Sequence, residues 1–231
     1  MIGLPAPVAL DFTTWFRHSM KPLLHQLYEK YLSDDDCPSF IKSVSQSYLV
    51  GTIERLTTAS SQMVRRASVL ALGFLADYES NHRLGKVLQD PDTTVRSMAE
   101  HAIQQLWFRT GTDTQQKELL VIERLNLSNQ FEKAIVRASC LITANPSIAE
   151  AWNQRAIAKF NLLRFTDSIK DCHQALELNP YHYPAAIGMG HSFLEIGDNF
   201  NAIDCFHRAL NLNPGLNFVR AQINFLKKSL N

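Results

Sequence analysis

Apolar and polar positions in the C-terminal half of this chain alternate with a helical rhythm that itself repeats every 34 residues. Ile122, Ala156 and Gly190 form one column of small to medium residues. Ala134, Ser168 and Ala202 form a second, Ile135, Ile169 and Ile203 a third, and Leu141, Ala175 and Ala209 a fourth. Each unit closes on an Asn-Pro pair, at Pro146, Pro180 and Pro214. Proline disfavours the helical conformation in the residue before it, so each asparagine predicts a helix end. Leu127-Ser128-Asn129-Gln130, Leu163-Arg164 and Gly197-Asp198-Asn199 interrupt the apolar pattern midway and predict a turn. The unit is therefore a helical hairpin. Its two small columns lie 12 residues apart, one on the first helix (A) and one on the second (B), and predict close contact inside the hairpin. A sustained period of this length implies an all-α chain, an α-solenoid of antiparallel hairpins that bury their apolar faces against neighbours.

Upstream the rhythm changes. Met63 to Gly73 and Thr94 to Ile103 match each other at a spacing of 31 residues, the second preceded by the turn Leu88-Gln89-Asp90-Pro91-Asp92. Pro91 and Asp92 suit the start of a helix. Residues 1–46 match neither pattern. Leu4-Pro5-Ala6-Pro7 is expected to be extended, Phe12 to Leu32 helical with a break or restart at Pro22, and Ser39 to Leu56 a further helix led by Asp34-Asp35-Asp36 and Pro38. This segment is expected to cap the open end of the solenoid or to dock on a neighbour.

The chain has 231 residues, 45% of them hydrophobic, enough for a substantial core. Lys and Arg number 23 against 22 Asp and Glu with no strongly one-signed half, which argues against a nucleic-acid footprint. No stretch reaches membrane-spanning length, and the first ten residues lack a basic, apolar leader, so a cytoplasmic location without membrane insertion is expected. Cys37, Cys140, Cys172 and Cys205 show no paired spacing and are read as buried free thiols. His173 and His207 recur in successive units beside Cys172 and Cys205, but without the local spacing of a tetrahedral site, so no metal or cofactor is expected. Phosphate-binding glycine loops, paired-histidine zinc motifs and nucleophile elbows are missing, and Gly188-Met189-Gly190 falls within a helix, where packing explains Gly190. The chain is read as no enzyme. Arg155 and Lys159 need an acidic partner, for which Asp171 is the candidate; an anion site is the alternative. Tyr181-His182-Tyr183 either extends a binding surface or packs between hairpins.

Residues 115–148, 149–182 and 183–216 resemble tetratricopeptide repeats, most clearly through Trp152, Ala156, Ser168, Ala175 and Pro180 and through Gly190, Phe193, Gly197, Ala202, Phe206, Ala209 and Pro214. Leu216 to Leu230 then resembles the family's C-terminal capping helix. Residues 47–76 and 77–109 resemble HEAT repeats of the short, phycobilisome lyase-like variety, with Arg65 and Arg96 at the family's ladder-arginine positions and Asp90 or Asp92 as acceptors. The resemblances imply three parts: an N-terminal helical cap (1–46), HEAT-like repeats (47–110), and tetratricopeptide repeats with a capping helix (111–231). They also imply a concave groove walled by Leu119, Glu123 and Asn126, by Asn153, Ile157, Phe160 and Asn161, and by Ile187, His191, Leu194 and Glu195. There Phe160 and Leu194 would anchor an apolar side chain while Asn153 and Asn161 hold a peptide backbone. The basic clamp that some family members use for chaperone C-termini is missing, since Leu119, Glu123, Gln154, Pro184 and Gly188 stand at its places. The expected function is a non-enzymatic adaptor or scaffold for a peptide or protein partner, the HEAT-like half supplying a second surface. A chromophore lyase-like accessory role and a rigid spacer in a larger protein are the alternatives.

Overall fold

The computed structural model describes residues 21–229, within which the chain forms thirteen α-helices, one 3-10 turn and no strand. The N-terminal layer holds α1 (Leu23–Asp34), α2 (Cys37–Ser47), α3 (Val50–Leu56), α4 (Gln62–Leu75), α5 (Asn81–Val87) and α6 (Thr93–Phe108). Three hairpins follow: α7 (Asp113–Leu127) with α8 (Phe131–Ala144), α9 (Ala149–Asn161) with α10 (Phe165–Leu178), and α11 (Tyr183–Glu195) with α12 (Asn199–Leu212). A final helix, α13 (Asn217–Ser229), packs on α12 through Val219, Ile223 and Leu226 while Phe218 and Phe225 stay exposed.

The hairpins follow from the repeated columns. All four are buried or packed against the core. Ser168 Oγ donates to the Ala156 carbonyl at 3.0 Å, so the two small columns touch inside the middle hairpin. In the third, a Cβ on Gly190 would come within 2.6 Å of the Phe206 ring, which is why glycine stands there. Asn145, Asn179 and Asn213 are extended, with φ near −149°, −135° and −134°, and end their helices as the following prolines require. Each intra-hairpin turn needs one left-handed residue, at Asn129 (φ 56°), Leu163 (φ 59°) and Gly197 (φ 80°), again 34 apart.

In the N-terminal layer α3 pairs with α4 and α5 with α6, and α4 lies along α6. Arg65 spans the two pairs, bonding both carboxylate oxygens of Asp90 at 2.7 and 2.9 Å. Arg96 donates to the carbonyls of Asp90 and Pro91, and Arg66 pairs with Asp92, whose carboxylate also caps α6 through the Val95 amide. Helices α1 and α2 cover α4. The single helix expected over 39–56 is two: Tyr48 and Leu49 are extended, and the Tyr48 hydroxyl accepts from the Leu24 amide, a tertiary contact that local propensity does not carry. Helix α1 begins directly after Pro22, in line with a restart there. The expectations for Leu4–Pro7 and the stretch from Phe12 to Met20 lie outside the described residues.

Candidate functional site

Helices α7, α9 and α11 are the A helices, the first of each hairpin, and carry the positions expected to wall the groove. Their two ends have different surroundings. Where they begin, the α5–α6 pair lies along the edge formed by the turns between repeats. The Trp107 indole on α6 stacks on His182 with centroids 4.3 Å apart and donates to Asn81 at 2.8 Å. Asn81 in turn donates to Asn179. Gln104 and the Tyr183 hydroxyl share a short hydrogen bond, and that hydroxyl also donates to Glu100. Tyr181 lies against Gly85, which has no Cβ to collide with its ring, and its hydroxyl meets His82. The Tyr181-His182-Tyr183 cluster is thus packing at the junction, and burial pushes the Tyr183 hydroxyl well above its ordinary pKa.

A buried polar chain runs inward from this edge. His182 Nδ1 accepts the Ala185 amide as the cap of α11, so Nε2 carries the proton that it donates to Glu150 at 2.9 Å. The Glu150 carboxylate also accepts from Asn153 and Gln154, and Asn126 donates to Gln154, carrying the chain from α9 to α7. Asn153, placed by its register in the groove, is 5% exposed and spends its amide on Glu150. Leu119 is fully buried, and Asn126 is a core residue. Glu123 is half-buried beside Glu150; burial, then the Glu150 charge, holds its pKa above the ordinary value.

The other ends of the A helices remain open. Ile157, Phe160, Asn161 and His191, with Asn153, Ala156, Ser168, Cys172, Pro184 and Gly188, enclose a pocket of about 130 Å³ between α9, α10 and α11. Ile157 and Asn161 are exposed at its mouth. The Asn161 amide donates to the Ile157 carbonyl and leaves its oxygen free of protein partners. Phe160 sets its ring edge against Phe165, and His191 lies edge-on to Phe206, where burial lowers its pKa. Ile187 and Leu194 pack on the core at the pocket's flank, and Glu195 is exposed at the end of α11. Small residues make the pocket floor: a Cβ on Gly188 would stand 3.4 Å from Cys172 Sγ. Burial raises the Cys172 thiol to about 12, so it is an apolar wall and not a nucleophile.

Two other candidates take structural roles. Arg155 bonds both oxygens of buried Asp171 at 2.8 Å, Lys159 reaches the same carboxylate at 2.6 Å, and Arg155 lies 4.8 Å from the Trp152 ring centroid. The ion pair is what the structure holds, with both Arg155 and Lys159 engaged on the Asp171 carboxylate. Among the described residues no cluster of His, Cys, Asp and Glu suits a metal ion, and no helix is long and apolar enough to cross a membrane. Cys172 and Cys205 are buried as read, but Cys37 is only partly covered and Cys140 is exposed, on the outer face of α8.

No family model matches the chain. It is 28% identical over 89 residues to a TPR repeat-containing protein of Rhizobium etli, covering 38% of this chain and 44% of that one. It is 25% identical over 103 residues to sperm-associated antigen 1 of Rattus norvegicus, 45% of this chain and 11% of that one. The chain thus spans less than half the length of the curated relatives it matches. These matches agree with the resemblance of the 34-residue units to tetratricopeptide repeats. Among solved structures, the first TPR domain of Spaghetti bound to an HSP90 peptide is 21% identical, with a TM-score of 0.47 over 49% of this chain and 94% of that one.

Proposed function

We propose that this protein is a non-enzymatic interaction scaffold whose tetratricopeptide-type half holds a peptide segment of a partner at the open end of its concave groove. The pocket between α9, α10 and α11 carries this reading: it is apolar, partly preformed, and sized for one aliphatic or aromatic side chain. Ile157 and Phe160 supply its apolar wall, and the Asn161 amide oxygen at its mouth is placed to accept from a peptide backbone. Glu123 and Glu195 flank the groove and no Lys or Arg lines the pocket, which favours a segment with neutral or basic residues around its apolar anchor over an acidic C-terminus. Residues 47–110 are read as HEAT-like, supported by the paired helices and the Arg65–Asp90 bridge between them.

The test is selection of a random peptide library on the full chain, with Gly188→Leu as the counter-screen. A Cβ at 188 stands at ordinary contact distance from Cys172 Sγ in the pocket lining, so a leucine there should project into the pocket and melting should stay near the parental value. Peptides that share an apolar residue, bind the parent and are lost on Gly188→Leu support the reading. Peptides held equally by both chains overturn it.

A further inference from the structure

A groove on the N-terminal layer lies away from the tetratricopeptide-type half, between α4 and α6. Val69, Leu70, Gly73 and Phe74 form one wall, Met98 and Ala102 the floor, and the space is about 390 Å³. The two helices approach closely there: a Cβ on Gly73 would stand 3.3 Å from that of Ala102. The opposite rim is polar and regular. Ser97, His101, Gln105 and Arg109 follow one another at intervals of four along α6 and its end, so they stand in one row. Ser97, His101 and Gln105 are exposed and make no side-chain hydrogen bond within the described residues.

Arg109 ends the row in an unusual state. Its Nη1 donates to the Phe74 carbonyl at 3.0 Å, but Nε and Nη2 are buried without a hydrogen-bond partner. No carboxylate among the described residues lies within ion-pair distance. Burial accordingly pulls its pKa below the ordinary value. A desolvated guanidinium with two idle donors costs free energy until an anion meets it. Phe74 is 54% exposed, and beyond it the groove opens onto a second apolar trough against α2, lined by Pro38, Ile41 and Lys42.

We infer that the α4–α6 groove is a second binding site, for a peptide segment in which an Asp or Glu stands between large apolar side chains, its carboxylate pairing with Arg109. The apolar neighbours of that acid occupy the space over Gly73 and Ala102, and the row Ser97, His101 and Gln105 serves the peptide's backbone amides. That polar row favours a peptide over an alkyl carboxylate, which has no hydrogen-bonding groups along its length to match it. The site shares no residue with the pocket between α9 and α11, so either can fail while the other stands.

Fluorescence anisotropy on the full-length chain tests it, with an amidated, fluorescein-labelled nonapeptide that carries one Asp between Leu and Phe, and its Asn twin. The Asp peptide should bind about tenfold more tightly or better, as charge-assisted bonds to a buried cation require. Arg109→Gln should bring the Asp peptide down to its twin while leaving the twin unchanged. Arg109→Lys, which keeps the charge, reads the same question should the glutamine variant not fold, and should retain part of the preference. Phe74→Ser should weaken both peptides, and Ile157→Asp neither. Equal binding of the two peptides to the parent overturns the inference, as does equal loss of both on Arg109→Gln or stronger competition by dodecanoate than by unlabelled Asp peptide. A full-length Asp11→Asn chain that binds the labelled peptide more tightly than the parent also overturns it, because the groove would then belong to the chain's own N-terminal residues.

Discussion

The two ends of α9 and α11 are built from the same repeat, yet one end is sealed and the other open. At the sealed end Glu150, Asn153, Gln154, His182 and Tyr183 are all less than one-tenth exposed, and each has its polar group engaged. A turn or two further along, Ile157 and Asn161 face solvent at the edge of a pocket, and Glu195 is exposed at the end of α11. Nothing in helix propensity separates these ends. The difference is what lies across from them: α6 on one side, nothing from the described chain on the other. Within a solenoid, a groove position becomes a binding residue or a core residue according to the neighbour it meets.

Breaking the seal should have the largest effect. Trp107→Ala removes the indole that stacks on His182 and leaves Asn81 short of a donor. It should cost about 3–5 kcal/mol in urea unfolding. Ile157→Ala at the open end should stay within about 0.5 kcal/mol. Similar losses for the two would mean that the ends do not differ in the way described. Next in size is the back of α11, where Gly190→Leu drives a side chain into Phe206 and should cost on the order of 1–3 kcal/mol or more. A parental melting curve would show that the helices are not in the close register seen.

The smallest effect sharpens the electrostatics of the sealed end. The Glu123 pKa lies above the ordinary glutamate value of 4.5 because the side chain is partly buried and stands near Glu150. The folded state therefore binds its proton more tightly than the unfolded state, so its contribution to stability falls as pH rises from about 4.5 through the raised value. At pH 7 the charged side chain is a cost. Glu123→Gln should melt above the parent at pH 7, with the gap closing toward pH 4, when the two are compared by circular dichroism; a gap that persists or widens in acid would place the cause elsewhere.

The hairpins were legible in the sequence because each is a local object: the Asn-Pro ends, the mid-unit turns and the small columns need only residues within one or two repeats. Gly190 against Phe206 and Asp171 as partner to Arg155 and Lys159 followed for the same reason. The groove was legible as a register and not as a surface. Ile157, Phe160, Asn161 and His191 line one pocket together with Asn153, but Asn153 is 5% exposed with its amide held by Glu150, while Leu119 and Asn126 are buried in the core. The residues that seal this edge, Trp107, Gln104 and Asn81, lie far upstream, with no periodicity linking them to the 34-residue units. The Tyr181-His182-Tyr183 cluster stood open for that reason, and the break at Tyr48 was hidden because its cause, the Leu24 amide, lies two helices back. Arg109 carried one signal, its place four residues after Gln105, but its want of a carboxylate is visible only in three dimensions.

The Asn81 to Asn179 bond joins residues 98 apart, and Gln89 reaches carbonyls 122 and 123 residues away. A linear array of repeats can add units one at a time as the chain leaves the ribosome, each stable on the last. Here the α5–α6 pair is finished late: Asn81 and Trp107 stay without Asn179 and His182 until the second hairpin has been made, and Gln89 without its acceptors until the third has. Synthesis that stops before that point strands the N-terminal layer with an apolar edge in water, and non-local closure of this kind slows folding as well as delaying it.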